Sequence, residues 1–362
     1  MGRYQPHYCA PAPMHRSIAR IIGRICLVIV TTLLLLVMAL YGVMYILAKG
    51  PSPTARNLFV CSVQETSAIG FLANLFFSEE EIQQIMASQN DTTFDDTDSS
   101  LIVIPPSTPA DPDDPNKPVA DEWGLVDEDG DGIIIDTVRG EGFHGYMMVV
   151  LDPARVVMAS KVEDFGIRGY TVAEMVQSYD GVAGINAGGF HDPGGHGNGS
   201  IPDTMVVSGG KVYYAENGIR NGFVGFDQNH ILHTGNFSTA TVKEKQIQSG
   251  VCFGPVLVSN GVPKEQPSSG LNPRTAIGQR SDGAILMLVI EGRSVSSLGA
   301  TFQDLVEIFL SYGAVNACNL DGGSSSMMWY NGNYVNNCAS VVGIRPVPTA
   351  FVVLKKEAVQ NG

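Results

Sequence analysis

The chain of 362 residues carries 22 Lys and Arg against 36 Asp and Glu, a formal net charge of −14. That balance excludes a nucleic-acid binder, which needs a basic face. Part of the acidity is confined to one polar segment, so it does not describe an active surface.

Residues 25–48 hold no charged side chain, and nearly every position from Ile25 to Ala48 is aliphatic or aromatic. A helix of that length spans roughly 35 Å, enough for a hydrocarbon core of about 30 Å. Arg3, Arg16, Arg20 and Arg24 precede it, and Lys49 and Arg56 follow. The excess of positive charge on the N-terminal side predicts a cytoplasmic segment 1–24 and a domain outside. The apolar run exceeds a signal-peptide core, and Lys49-Gly50-Pro51 offers no small-residue cleavage site. The expectation is an uncleaved single-pass anchor in the cell membrane, contacting lipid through residues 25–48.

Residues 49–89 read as a helical membrane-proximal stalk. Leu58, Cys61, Ala68, Leu72, Leu75 and Phe76 recur at helical spacing. Ser78 with Glu81 forms a capping box for a short helix from Glu79 to Ala87. Residues 90–121 are rich in Asp, Thr, Ser and Pro, and only Leu101 to Ile104 is apolar. Such a composition cannot offset its ordering entropy, and it reads as a flexible acidic linker.

The folded domain is expected over residues 122–357. It opens on Asp127-Glu128-Asp129-Gly130-Asp131-Gly132, similar to the start of a calcium loop, although position twelve is Val138 instead of a bidentate Glu, with Asp136 nearby. No cofactor is required by the sequence, and calcium is the one ion it suggests. Strands are predicted at Gly145–Leu151, Arg155–Ser160, Gly184–Asn186, Met205–Val207, Lys211–Tyr214, Val256–Val258, Ala284–Ile290 and Val315–Leu320. An Asn331-Gly332 turn predicts a hairpin between Met327–Tyr330 and Tyr334–Val335. Capping boxes at Thr171/Glu174 and Thr301/Asp304 predict two helices, the second stopping at Gly313 with Leu305, Phe309 and Tyr312 toward the core. The fold class is α+β: a strand-rich mixed sheet with a few packed helices, preceded by a single transmembrane helix.

Three segments place polar residues and glycines at the ends of apolar strands. They are Ile185-Asn186-Ala187-Gly188-Gly189-Phe190, Asn272-Pro273-Arg274-Thr275-Ala276-Ile277-Gly278 with the later Glu291-Gly292-Arg293, and Asn319-Leu320-Asp321-Gly322-Gly323-Ser324-Ser325-Ser326. Guanidinium forks suit phosphate oxygens, and paired carboxylates suit glycoside hydrolysis. Glycines let the backbone approach a ligand.

In order and spacing these segments resemble the phosphodiester glycosidase family, which includes the uncovering enzyme and bacterial exopolysaccharide biosynthesis proteins. The likeness runs from about Gly140 to Leu354. Departures are the extra Ala187 inside Asn-Gly-Gly, His191 where an aromatic is common, and Ser324 in place of a third glycine. The resemblance implies hydrolysis of a sugar-1-phosphodiester at the anomeric carbon, in cell-surface polysaccharide metabolism. It implies Asp321 and Glu291 as catalytic carboxylates, with their roles undivided. It places Arg274 and Arg293 on phosphate and Asn186 and Asn319 on sugar hydroxyls, and Gly189, Thr275, Gly322, Gly323, Ser324 and Ser325 around the substrate.

Other chemistries have weaker patterns. His191 and His196 flank Asp192 without a zinc spacing. Ser324 to Ser326 lack the G-x-S-x-G elbow of a serine nucleophile. Arg274, Glu291 and Arg293 could equally form a structural ion-pair network. Cys61, Cys252, Cys318 and Cys338 are too widely spaced for a metal knuckle, and free buried thiols are expected over a Cys318–Cys338 disulfide. The alternative function is a non-catalytic surface module that binds phosphate-bearing wall or capsule glycopolymers through the same cleft.

Overall fold

A computed structural model describes residues 14–66, 69–87, 96–105, 119–192, 197–213, 222–267, 269–340 and 343–356. The chain divides into two units, Met1–Arg56 and Asn57–Gly362. The first holds α1 (Met14–Lys49). Its stretch Arg20–Lys49 is long and apolar enough to cross a membrane, and its aliphatic side chains from Ile21 to Leu47 are exposed.

The second unit is built on three antiparallel sheets. The largest has seven strands in the order β1 (Ile133–Gly140), β2 (Phe143–Val150), β13 (Ile285–Ile290), β12 (Arg274–Arg280), β14 (Ala314–Leu320), β10 (Val256–Ser259) and β11 (Val262–Pro263). The second runs β16 (Asn333–Tyr334), β15 (Met328–Tyr330), β4 (Gly181–Asn186), β17 (Thr349–Leu354), β3 (Val156–Ser160). The third runs β6 (Lys211–Tyr213), β5 (Val206–Ser208), β9 (Ile247–Cys252), β7 (Phe223–Asp227), β8 (Leu232–Gly235). The strand-rich α+β expectation holds, and every pairing within the sheets is antiparallel.

One face of each sheet meets in a common core that contains Met148, Ile185, Val224, Ile277, Val289, Leu320 and Phe351. A helix covers each outer face: α7 (Phe302–Ser311) the first sheet, α5 (Val172–Ser178) the second, and α6 (Thr239–Glu244) the third. This burial on both faces explains β12, β13 and β14, whose residues are buried throughout. Among them β13 reads as a continuous apolar run instead of an alternating strand, whereas β12 and β14 carry buried polar residues. The predicted capping boxes of α5 and α7 are both made. Gly313 ends the last turn of α7 at φ +76°, a conformation that costs glycine nothing.

Of the segment expected to be a stalk, α2 (Pro53–Gln64) buries Val60, Cys61 and Val63. Ser62 lies against Gly270, where an added Cβ would sit 2.3 Å from its Cα. The short α3 (Phe71–Asn74) follows, and α4 (Glu79–Ala87) opens on the expected Ser78–Glu81 box, with bonds of 2.8 and 3.2 Å. Ala68 lies outside the described residues.

Residues 96–105 fall inside the stretch whose composition reads as linker, and they are held on the domain. Asp98 N donates to Asn260 Oδ1, Thr234 N donates to Thr97 Oγ1, and Val103 N donates to Ser281 O. Ile102 is buried with Ile231 and Val315. Its aliphatic neighbours are the one apolar run in that stretch, which is why this part can pack.

The α7 interface sets the position of β12 and β14. Phe309 is fully buried, and its ring lies 2.8 Å from where a Cβ on Gly278 would be. Phe309→Ala should therefore cost about 3–5 kcal/mol, the range for truncating a buried aromatic. Urea unfolding measures it, and a loss below about 1 kcal/mol would show that α7 does not brace the sheet.

Candidate active site

Antiparallel pairing brings the sequence motifs to one edge of the large sheet. β13 and β14 flank β12, so both run opposite to it and end at the same edge. Ile290 pairs with Arg274 and Leu320 with Thr275. Glu291 and Asp321 thus leave neighbouring strand ends, with two strand spacings, roughly 10 Å, between their strands.

Asp321 is partly buried at the end of β14. Burial raises its carboxyl from the usual 3.8 to about 7, the Ser325 hydroxyl opposes that shift, and the Asp203 carboxylate adds to it. Arg345 and Asp192 also act on it, in opposite directions. Arg345 is buried, pairs with Asp192 at 2.8 Å, and donates to Ser324 Oγ at 3.1 Å. Asp203 approaches Gly189, where an added Cβ would meet its carboxylate at 2.9 Å.

Asn186 has no exposed surface. Its Nδ2 donates to the Asp321 carbonyl at 2.6 Å, while its Oδ1 accepts from Thr275 Oγ1 at 2.9 Å and from Met327 N at 3.1 Å. The amide is a strut that fixes the Asp321 backbone. Asn319 is likewise turned inward, donating to the Gly254 carbonyl at 2.8 Å. Neither amide faces an open cleft.

Glu291 is buried and held from two sides. Asn337 N donates to Oε1 at 2.7 Å, and His144 Nε2 lies 3.2 Å from Oε2.

The two arginines are engaged differently. Arg274 is buried, stacks on Phe302, and donates to Ala300 O, Gly270 O and the Glu65 carboxylate, the last at 2.8 Å. Arg293 is more exposed, at φ +57°, and donates to Thr66 Oγ1 at 3.0 Å and Asn272 Oδ1 at 3.3 Å. Its guanidinium also lies 3.2 Å from where a Cβ on Gly323 would be, and Gly323 has φ +62°, so glycine is required there on two counts. Gly322 lies against the Pro273 carbonyl, beside Arg274.

The structure therefore sets Ser325 on the Asp321 carboxyl, Asn186 and Thr275 behind the Asp321 backbone, Gly189 against Asp203, and Gly322, Gly323 and Arg293 beside them. Glu291 forms a second pocket with His144 and Asn337. Sequence reasoning missed Arg345, Asp203, His144, Asn337 and Glu65. Only Asp192 among the further partners lay inside a segment already singled out.

The weaker patterns are also placed. Asp127, Asp129 and Asp131 bring carboxylate oxygens within 4.8 Å of one another. Asp127 accepts from Gly130 N and Gly132 N, and Asp131 from Ile133 N and the Tyr330 hydroxyl. Asp136 turns away to the Tyr312 hydroxyl. His196 lies outside the described residues. Among the described residues, Cys61, Cys252, Cys318 and Cys338 form no disulfide.

A strand-rich sandwich of this kind, with Asp-Gly-Gly at the end of a buried strand, has relatives. Residues 179–354 match the family model for phosphodiester glycosidase. The match takes in all of the motif segments that resemble that family. The chain is 33% identical over 196 residues to the SPbeta prophage-derived uncharacterized protein YomE of Bacillus subtilis (strain 168), a match covering 50% of this chain and 29% of that protein. It is 29% identical over 147 residues to the N-acetylglucosamine-1-phosphodiester alpha-N-acetylglucosaminidase of Bos taurus, covering 35% of this chain and 28% of that protein. The chain thus spans less than a third of the length of either. The solved catalytic domain of zebrafish N-acetylglucosamine-1-phosphodiester alpha-N-acetylglucosaminidase, auto-inhibited by its pro-peptide, is 18% identical with a TM-score of 0.52, over 62% of this chain and 82% of that one. That likeness speaks for the fold alone.

The raised Asp321 has a consequence for stability. Below pH 4 it is protonated whether the chain is folded or unfolded. As pH rises from about 4 to about 7 the unfolded chain releases the proton first, so stability falls and then levels off. Asp321→Asn should flatten this decline, as read from thermal unfolding between pH 4 and 8. A decline of equal slope in the variant would assign it to other groups.

Proposed function

We propose that the domain hydrolyses the glycosidic bond of a sugar-1-phosphodiester, releasing a sugar and a phosphomonoester. The observation that carries this reading is the pair of carboxylates, partly buried Asp321 and buried Glu291, at strand ends of one sheet beside Arg293. Water attacks the anomeric carbon, the C1–O bond breaks, and its electron pair leaves on the phosphate oxygen. Phosphate departs with little protonation, so the protein's work is to direct water and support positive charge. Asp321, whose carboxyl changes charge near neutrality, is suited to take the proton from water. Glu291 supports the oxocarbenium-like centre. Arg293 and Arg345 are the cations nearest the Asp-Gly-Gly loop for the phosphate. The sequence assigned phosphate to Arg274 as well, and that role requires Glu65 to move. If the apolar helix spans a membrane with the domain outside, the substrate is a cell-surface glycopolymer or its precursor.

A purified full chain tested on a panel of sugar-1-phosphodiesters should release free sugar, and Asp321→Asn should lower turnover by at least ~100-fold, typical for one electrostatic catalytic group. Binding of an uncleaved phosphodiester should change far less. Binding without turnover by the parent chain would favour a glycopolymer-binding module instead.

One contact favours a second reading, about access. Glu65 and Thr66 occupy both arginines with a carboxylate and a hydroxyl, groups that a phosphodiester would replace. The zebrafish domain is auto-inhibited by a pro-peptide. If residues 57–66 cover the phosphate position here, Glu65→Gln should lower KM several-fold. If Arg274 is a structural ion-pair partner, the same variant should instead lose stability, because an unpaired buried arginine is costly, and leave KM unchanged.

A further inference from the structure

The geometry points to His144 as a positioning residue that holds Glu291 through one shared proton during turnover. This rests on the reading of Glu291 as the charge-supporting carboxylate.

His144 and Glu291 are cross-strand neighbours. Gly145 pairs with Ile290, and one step further Glu291 N donates to His144 O at 3.0 Å. Both side chains therefore leave the same face. The imidazole is fixed at both nitrogens. Nδ1 faces the Ser296 carbonyl at 3.3 Å, and Nε2 faces Glu291 Oε2 at 3.2 Å. A carbonyl only accepts, so Nδ1 carries hydrogen. In the neutral ring Nε2 would then be a bare lone pair, and against a carboxylate two lone pairs would meet. The contact requires one proton between Nε2 and Oε2.

That proton has few competitors. Oε1 already accepts from Asn337 N at 2.7 Å and Nδ2 at 3.2 Å, which favours negative charge on the carboxylate. The other groups on the pair are neutral. Ser297 Oγ accepts from His144 N and donates to Glu291 O. Arg293, the nearest charged residue along this loop, is turned to Thr66 and Asn272. Among the described residues no other ion pair reaches either group. One proton therefore joins the two side chains. Without it the lone pair of Nε2 would face the carboxylate and Glu291 would no longer be held.

The test uses the purified full chain in detergent. The chain has 7 histidines. With these ring-labelled, the His144 signal is assigned by its absence in His144→Gln. Its Nε2 should give the ¹⁵N shift of a protonated nitrogen at the pH of turnover. A bare Nε2 overturns the shared proton. In the activity arm, His144→Gln keeps an N–H toward Oε2 that cannot titrate. The alkaline limb of its kcat profile should vanish or move by at least ~1 unit, with KM within about twofold of the parent. A superimposable profile overturns the role in turnover. His144→Asn, too short to reach, should lose more activity than His144→Gln, and equal losses count against positioning. If the parent cleaves no phosphodiester while Nε2 carries its proton, the functional reading fails and the shared proton stands.

Discussion

The Asn186 amide ties the large sheet to the second sheet where the chemistry is placed. It bonds the β12 hydroxyl of Thr275, the carbonyl of Asp321 after β14, and the amide of Met327 before β15. Asp321 N in turn donates to Ala187 O at 3.0 Å. A buried amide left unpaired costs about 1–3 kcal/mol for each group, so this junction has one low-energy arrangement. That arrangement fixes the backbone from which the Asp321 carboxyl and the Gly322–Ser325 turn project. Thr349 Oγ1 supports it from β17 by accepting from Gly188 N at 2.9 Å.

Strand alternation then sorts the remaining motif residues. Arg274 shares the face of Ala276, which packs with α7, and there it meets Phe302 and the Ala300 carbonyl. Thr275 shares the face of Ile277, toward the common core. Glu291 follows Val289 on that same inner face, across from His144, which shares it with Tyr146. Residues adjacent in one motif therefore go to opposite sides of the sheet. This is why Arg274 is bound to Glu65 instead of standing beside Glu291.

The same physics explains what was legible in the sequence. Capping boxes at Thr171 and Thr301 are local, and both helices start where those boxes place them. Strands with unbroken apolar runs, such as β13, were equally plain. β12 read as a motif because Arg274, Thr275, Gly278 and Gln279 interrupt its apolar pattern, although all its residues are buried. β7 and β9 escaped notice because Gly225 and Gly250 stand where an alternating pattern would be counted. Each glycine's missing Cβ admits the other strand and the Phe223 ring. At the site, Asp321 and Glu291 lay within recognisable segments, whereas their partners come from distant ones. His144 and Glu65 precede the matched region 179–354, and Arg345 precedes β17 with no local signal to mark it. Long-range pairing decides these neighbours, and no short window contains it.

The central claim is that water attacks the sugar carbon, not the phosphorus. The most direct test is hydrolysis of a sugar-1-phosphodiester in ¹⁸O-enriched water, followed by mass analysis of both products. Two carboxylates acting on an anomeric centre predict the label in the released sugar and none in the phosphomonoester. Label in the phosphomonoester would mean P–O cleavage, and it would contradict the account.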